Sequence, residues 1–214
     1  GLVGSEMCIR DRCTTSVNAL SGTYEGKSFV DGQSFSIGEP SFSDIWVDPV
    51  HGNDSLDGRT AATAYRSIKQ AWDSIPTTNP LTQAYRINLQ PGNYPPELLP
   101  TYWENHHGSF YHPIMIRGVG ASNRDVTLQA TVSLFDVQYV YFDHLRVQLD
   151  GDAFHCEACD HILIHDSIFD GGNQIAQETI KFNQSQHVYI ENSDISGAWD
   201  NAIDFVAVQY GHIQ

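Results

Sequence analysis

Short segments in which apolar and polar residues alternate recur through the second half of the chain. Four of them align without gaps and start 22, 26 and 23 residues apart, at Val137, Cys159, Ser185 and Val208. Alternation with a period of two is typical of a β-strand that has one buried face. A fixed period in the range of about 20 to 50 residues indicates a solenoid or a propeller. The segments therefore predict strands that repeat once per coil.

Two further sets of segments follow the same spacing. One set begins at Ala153, Thr179 and Ala202, and the other is centred on Val147, Phe169 and Ile195. The consensus of a leucine-rich repeat is absent, and a propeller blade needs about 40 residues. Three short strands per coil instead predict an all-β chain that forms a right-handed parallel β-helix, whose coils stack about 4.8 Å apart.

This register predicts which side chains share a column. The first strands place four residues in one inward column: Val140, Ile162, Val188 and Gly211. The second strands place Phe154, Ile180 and Ile203 in another, with Cys156, Phe182 and Phe205 stacked beside them. Cys156 is therefore interpreted as a small core residue. The spacing to Cys159 also suits a redox or metal motif, but a lone CxxC pair is a weak signal.

One helical pattern precedes the coils. Over residues 64–75 the apolar residues are spaced three and four apart, and Pro76 ends the pattern. The open edge of a first coil would otherwise pair with other chains. We interpret the segment as an N-terminal capping α-helix with Ile68 and Trp72 buried. Residues 45–48 and the segments around Ile87 and Ile114, which are 27 residues apart, predict strands of the earlier coils.

The two ends of the chain are interpreted separately from the coils. Residues 1–12 resemble a translated sequencing adapter and are treated as an artefact. Residues 13–41 are rich in Ser, Thr and Gly and predict a flexible linker, in which Cys13 is either a free cysteine or the lipid-bearing residue of a bacterial lipoprotein. Residues 42–214 form the predicted β-helix domain. The chain ends at Gln214 within a strand, so we expect the natural domain to be truncated here at its C-terminus.

Charge limits the partners that the sequence predicts. The chain has 26 Asp and Glu against 11 Lys and Arg, a formal net charge of -15. This acidic balance argues against nucleic acid and against anionic membrane surfaces, since both require a basic face. No run of apolar residues approaches the roughly 20 that a membrane span needs. A polyanionic ligand would need a bridging cation.

One outward column carries candidate chemistry. His155, Lys181 and Asp204 occupy the same position in three successive coils, and Asp152, Glu178 and Asn201 precede them, with Asp200 beside Asn201. Calcium accepts six to eight oxygen ligands in loose geometry. We therefore consider a calcium site formed by Glu178, Asp200, Asn201 and Asp204. The alternative is a solvated ladder in which Lys181 pairs with Asp204.

A second outward column is aromatic. Tyr139, His161, His187 and Tyr210 align in adjacent coils. We interpret them as a stacked ladder of rings, with a sugar-binding platform as the alternative.

The chain resembles the pectate-lyase-like superfamily of right-handed β-helices over roughly residues 45–214. The resemblance rests on the opening IWVDPVHGNDSLDGRTAATAYRSIKQAWDSI and on the PGNY turn. Within that group, residues 200–204 are similar to the D-[DN]-x-x-D segment that supplies calcium ligands in polysaccharide lyase family 9, and Glu178 matches an acidic ligand one coil earlier.

The resemblance implies a secreted or cell-surface bacterial enzyme. Such an enzyme would cleave an acidic, pectate-like polysaccharide by calcium-dependent β-elimination, with calcium bound to the uronate carboxylate and a base removing the C5 proton. Lys181 is the candidate base in this chain, and His155, Asp152 and His187 are candidate substrate-binding residues.

Two other functions stay open on the same fold. One is a non-catalytic β-helix that binds glycans or serves at a cell surface. The other is a glycoside hydrolase, which would use two or three carboxylates at a defined separation and no metal. Fold alone does not separate these possibilities.

Overall fold

A computed structural model describes residues 13–14, 21–24, 27–30, 36–175 and 177–214. The chain divides into two compact units, Gly1–Ser41 and Phe42–Gln214. In the first unit, β1 (Cys13–Thr14) pairs antiparallel with β4 (Ser36–Gly38), and β2 (Ser21–Tyr24) with β3 (Lys27–Val30). The adapter-like residues 1–12 and the side chain of Cys13 lie outside the described part. The linker and lipid-anchor interpretations stay predictions.

The second unit is built from three parallel sheets that share its coils. The first sheet has seven strands: β5 (Phe42–Val47), β6 (Ala84–Leu89), β8 (Ile114–Gly118), β11 (Gln138–Asp143), β14 (Asp160–His165), β17 (Gln186–Glu191) and β20 (Gln209–Ile213). The second has five: β7 (Gly92–Tyr94), β9 (Val126–Leu128), β12 (Arg146–Gln148), β15 (Ile168–Asp170) and β18 (Asp194–Ser196). The third has four: β10 (Val132–Phe135), β13 (Phe154–Glu157), β16 (Glu178–Asn183) and β19 (Asn201–Val206).

The pairing confirms the predicted parallel β-helix and its register. In the first sheet Val140 pairs with Ile162, Ile162 with Val188, and Val188 with Gly211. In the third sheet Phe154 pairs with Ile180 and Ile180 with Ile203. The second sheet likewise pairs the predicted third-strand residues, Val147 with Phe169 and Phe169 with Ile195. Every pair is parallel, so the inward side chains of successive coils stack directly.

The core is a continuous apolar column inside these coils. Val140, Phe142, Phe154 and Phe182 are fully buried members of this column. Gly211 replaces the branched residues of its column because a Cβ there would lie 2.6 Å from Cε2 of Phe205. The phenyl ring of Phe205 therefore occupies the space that Val and Ile fill in earlier coils.

The capping helix is shorter than the predicted 64–75. The α-helix α1 spans Ile68–Asp73, and a 3-10 turn covers Ala61–Thr63. Tyr65 cannot join the helix because it forms a parallel bridge to Val47, and Ser67 caps the helix by accepting from the backbone N–H of Gln70. Ile68 and Trp72 are buried as predicted, and α1 contacts β5 and β6, the first two strands of the first sheet. In the described residues no helix has the length and apolar character that crossing a membrane requires.

The two strand segments predicted around Ile87 and Ile114 belong to adjacent coils of the first sheet. Ile114 pairs with Tyr85, and Ile87 pairs with Ile116. A second 3-10 turn, Pro96–Leu98, and an irregular segment follow β7 and contribute bridges from Trp103 to Leu134 and from His107 to Gln138.

Cys156 and Cys159 are joined by a disulfide. Cys156 is fully buried, which confirms the prediction of a core residue, but it is half of a cross-link rather than a free thiol. The bond closes the short turn between β13 and β14, immediately before Asp160. It fixes the point at which the chain passes from the third sheet to the first.

Candidate functional site

The outer face of the third sheet collects the polar residues predicted to carry chemistry. Its first row is formed by the outward residues Ser133, His155, Lys181 and Asp204, which are paired strand to strand. Its second row, two residues further along each strand, is Phe135, Glu157, Asn183 and Val206. We call these two rows the polar face. The alternate residues of the same strands, such as Leu134 and Phe182, lie in the core, so the pleat itself directs the polar side chains outward.

The irregular segment around Trp103 extends the polar face by one strand. The backbone N–H of Trp103 donates to the carbonyl of Ser133, and the N–H of Phe135 donates to the carbonyl of Trp103. Because Trp103 is fully buried, Tyr102 and Glu104 on either side of it are exposed beside the two rows. Two exposed aromatic rings, those of Tyr102 and Phe135, therefore border the carboxylates of Glu104 and Glu157.

The capping helix holds this segment in place. The indole of Trp72 packs against the ring of Trp103 with centroids 5.1 Å apart, and its Nε1 donates to the carbonyl of Glu104 at 3.3 Å. His106 is buried and donates from Nε2 to the carbonyl of Trp72 at 3.1 Å. Burial lowers the pKa of His106, although hydrogen bonds to the carbonyls of Trp72 and Pro76 oppose the shift. The helix thus positions one wall of the site as well as closing the first coil.

A cavity of about 270 Å³ opens at the junction of the polar face and this segment. It is lined by Tyr102, Glu104, Ser133, Phe135, His155 and Glu157, together with Leu134. Nδ2 of Asn183 lies within hydrogen-bond distance of Nε2 of His155, at 3.2 Å. The lining therefore offers two carboxylates, an imidazole, a hydroxyl and two aromatic faces to one small ligand group.

Lys181 lies at the other end of the first row, between two carboxylates. Its Nζ is 3.3 Å from Oε1 of Glu178 and 3.3 Å from Oδ2 of Asp204. Partial burial would lower the pKa of Lys181, but the hydrogen bonds and charges of Asp204 and Glu178 outweigh it and raise the pKa. Lys181 is therefore held as a cation, which is the wrong form for a base.

The structure brings together part of the predicted calcium set. Glu178 pairs with Asn201 in adjacent strands and is buried, with a relative exposure of 4%. Asp204 pairs with Lys181 in the same two strands, three residues further along each strand than Glu178 and Asn201. Asp200 and Asn201 are exposed in the turn that enters β19, and the backbone N–H groups of both donate to the carbonyl of Gln177. All four residues offer oxygen donors on adjacent coils.

The other predicted residues are spread over two sheets. His155 lies in the cavity, and Asp152 is half-buried in the turn before β13. His187 belongs to the first sheet, in the aromatic ladder. There the ring of His161 stacks between those of Tyr139 and His187, with centroid distances of 4.1 Å and 4.2 Å. The ring of His187 stacks in turn on that of Tyr210, with centroids 4.8 Å apart. The stacked-ladder interpretation of this column is confirmed.

Sequence reasoning missed several residues of the polar face. Glu157 and Asn183 follow His155 and Lys181 by two residues, so the strand period itself was the signal that could have identified them. Tyr102 and Glu104 carried no such signal, because their segment lies outside the repeat. Asp160, whose Oδ1 accepts from Nδ1 of both His161 and His187, was also missed.

Comparison with known proteins gives one structural likeness and no sequence match. No protein-family model and no curated protein matches this sequence. Among solved structures, a rhamnogalacturonan lyase superposes with a TM-score of 0.43 at 12% sequence identity. The match covers 79% of this chain and 62% of that lyase, so the present sequence spans less than two thirds of the length of that protein.

Proposed function

We propose that this protein binds an acidic polysaccharide along the polar face and cleaves it, as a calcium-dependent lyase of the β-elimination type. The observation that carries the proposal is the arrangement of the polar face: exposed aromatic rings, carboxylates and the half-buried ammonium of Lys181 lie beside rows that cross successive coils. Rows of polar side chains that cross the coils suit an extended polymer, because each coil presents equivalent positions about 4.8 Å further along.

The cavity supplies the features of a sugar subsite. The side chains of Tyr102 and Phe135 have relative exposures of 65% and 47%. Neighbouring exposed aromatic rings of this size are typical of a ligand-binding surface. Aromatic faces carry a negative quadrupole that attracts the C–H bonds on one side of a pyranose ring. Glu104, Glu157 and Ser133 provide acceptors and a hydroxyl for the sugar hydroxyls around that ring.

Calcium is supported by the donor set rather than by a formed coordination sphere. Glu178, Asp200, Asn201 and Asp204 would hold the ion through carboxylate and amide oxygens, which are the ligands that calcium prefers. Bound there, calcium would attract a uronate carboxylate to an acidic protein and acidify its C5 proton. Lys181 now neutralises Glu178 and Asp204, so calcium and the Lys181 ammonium compete for the same oxygens.

Lys181 cannot take a proton while both ion pairs are intact. As the catalytic base it would first have to give up Glu178 and Asp204 to calcium, which would remove the interactions that raise its pKa. Glu178 and Asp204 would thus hold the ion that binds the substrate carboxylate, and Lys181, no longer paired with them, would be free to act as the base. Arg and Lys are otherwise absent from the two rows of the polar face.

A second candidate, glycoside hydrolysis, is favoured by one specific observation. Glu104 and Glu157 line the same cavity, and a pair of carboxylates is the basic requirement of most glycosidases. In that case one carboxyl would protonate the leaving oxygen and the other would act as base or nucleophile.

Secretion is part of the proposal. The Cys156–Cys159 disulfide supports it, because disulfides persist in oxidising compartments and are rare in the reducing cytosol. We further propose that a lipid on Cys13 attaches the secreted protein to the cell surface.

The test is incubation of the purified chain with polygalacturonate and other uronate polymers, with calcium or with a chelator. The lyase predicts unsaturated products that require calcium and disappear in Asp204→Asn. New reducing ends without unsaturation, lost in Glu157→Gln but not in Asp204→Asn, would identify a hydrolase. Binding in affinity electrophoresis without any product would establish a non-catalytic glycan-binding protein and overturn the enzymatic proposal.

A further inference from the structure

A site separate from the polar face lies on the aromatic ladder of the first sheet. Nδ1 of His161 is 2.7 Å and Nδ1 of His187 is 2.9 Å from the same oxygen, Oδ1 of Asp160. The two imidazoles come from successive coils, 26 residues apart in sequence, yet both direct a ring nitrogen at one point. We propose that Asp160, His161 and His187 form a binding site for a divalent transition-metal ion such as zinc.

The donor chemistry fits this class of ion. Two imidazole nitrogens and one carboxylate, with a water molecule in the remaining position, make up the ligand set of many catalytic zinc sites. The three ligand atoms all lie within 4.8 Å of one another, and this is the one such group of His, Cys, Asp and Glu in the described residues. A Zn–N bond measures about 2.0–2.1 Å, so the ion would take the place of the two imidazole protons near Oδ1.

The ligands are held in place before any ion binds. Both histidines adopt left-handed backbone conformations, with φ of 56° at His161 and 53° at His187. The outer rings of Tyr139 and Tyr210 stack on them from either side and fix the ring planes. The second carboxylate oxygen of Asp160 accepts from Nε2 of Gln186 at 3.0 Å, which orients that ligand as an outer partner.

Two further features favour binding. The Cys156–Cys159 disulfide ends one residue before Asp160, so the backbone that carries the first two ligands is tied to the core. The three side chains are about one quarter exposed, with relative accessibilities of 23%, 25% and 27%, and an ion can reach them from solvent.

The polar face and this site differ in ligand type. The polar face offers oxygen donors, which suit calcium, whereas imidazole nitrogen favours zinc, copper and nickel. The proposal therefore stands or falls independently of the polysaccharide proposal.

The test is calorimetric titration of the chelator-treated full chain with zinc, and optical titration with cobalt(II), whose absorption reports the coordination number. His161→Tyr and His187→Tyr keep a ring in the ladder, as Tyr139 and Tyr210 show, but remove a ligand. Each is expected to weaken zinc binding by more than about tenfold, as is Asp160→Asn. Tyr210→Phe keeps the ring and every ligand, so it serves as the control and should bind as the wild type does.

Circular dichroism and the melting temperature establish that each variant is folded. The proposal is overturned if the folded wild type binds neither zinc nor cobalt at millimolar concentration. It is equally overturned if both tyrosine variants bind zinc with the affinity and stoichiometry of the wild type, since the ion would then lie on other histidines.

Discussion

Nζ of Lys181 lies 3.3 Å from Oδ2 of Asp204, one coil away, at equivalent positions of paired strands. The same ammonium contacts Glu178, whose side chain has a relative accessibility of only 6%. When a buried carboxylate loses its counter-ion, the free energy of its desolvation is no longer offset, and the folded state is destabilised. Lys181 is thus a structural cation of the polar face in addition to its proposed role.

Lys181→Met should therefore destabilise the domain, by about 1–3 kcal/mol in urea unfolding. Adding Glu178→Gln should restore part of this loss, because a neutral amide is less costly to bury. The matched control is Lys69→Met, which removes the ion pair to Asp73 on the exposed surface of α1 and should cost no more than about 1 kcal/mol. Equal losses in the two single variants would show that Lys181 is an ordinary surface residue.

The buried imidazole of His106 predicts a pH dependence of stability. Burial lowers the pKa of His106 in the folded state, so at mildly acidic pH the unfolded chain binds a proton that the folded chain does not. The stabilising contribution is complete above the ordinary histidine pKa of about 6.5 and is lost as the pH falls through the lowered folded value.

The expected slope is up to about 1.4 kcal/mol per pH unit for this one proton. His106→Phe, which keeps a ring against Trp72, should flatten the dependence of the unfolding free energy between about pH 6.5 and 5. His51→Phe, at an exposed histidine, controls for the loss of a histidine as such. An unchanged slope in His106→Phe would assign the acid sensitivity to other groups.

The register of the later coils could be predicted because the sequence repeats its own geometry. Val140, Ile162 and Val188 align by spacing alone, and a one-residue error would move every core side chain into solvent. A two-residue shift has no such cost, so alternation alone would allow Ile87 to pair with Ile114 as readily as with Ile116, its partner in the structure. Alternation fixes the face of a strand, and only the turns fix its register.

The candidate site was predictable to the extent that it lies on the repeat. His155, Lys181 and Asp204 share a column by spacing, and that column is now observed. The wall formed by Tyr102 and Glu104 depends on contacts of Trp72 with an irregular segment about 30 residues away, and no local pattern encodes such a contact. The disulfide was missed because the register assigned Cys156 to the core as a free thiol, and a lone CxxC pair is a weak signal.

The exposed ring of Tyr102 predicts a contribution to glycan binding. Tyr102→Ala should weaken the affinity for a bound uronate polymer by about two- to tenfold, since a ring contact contributes about 0.5–1.5 kcal/mol. Tyr111→Ala removes an equally exposed tyrosine that does not line the cavity. Retardation in affinity electrophoresis measures both variants, and equal behaviour of the two would place the polymer elsewhere.

The Cys156–Cys159 bond predicts a resistance to alkylation that can be read directly by mass spectrometry. In an unreduced digest, the peptide that contains both cysteines should be lighter by two hydrogens and should not react with iodoacetamide. Replacing both cysteines with alanine should cost about 2 kcal/mol, the loop-closure contribution of so short a loop. Full alkylation without prior reduction would contradict the cross-link, and with it the support it gives to secretion.

The competition between calcium and Lys181 yields the sharpest prediction for the polar face. If Glu178 and Asp204 are calcium ligands, removing the ammonium leaves them free to bind the ion, so Lys181→Met should bind calcium more tightly than the wild type. Excess calcium should then raise the melting temperature of Lys181→Met more than that of the wild type, because an ion that binds only the folded state stabilises it by mass action. Asp204→Asn in the Lys181→Met background should abolish the increment, and magnesium, which demands stricter octahedral geometry, should reproduce little of it. If calcium raises the melting temperatures of the wild type and of Lys181→Met equally, or raises neither, then Glu178 and Asp204 pair with the lysine and do not bind a metal.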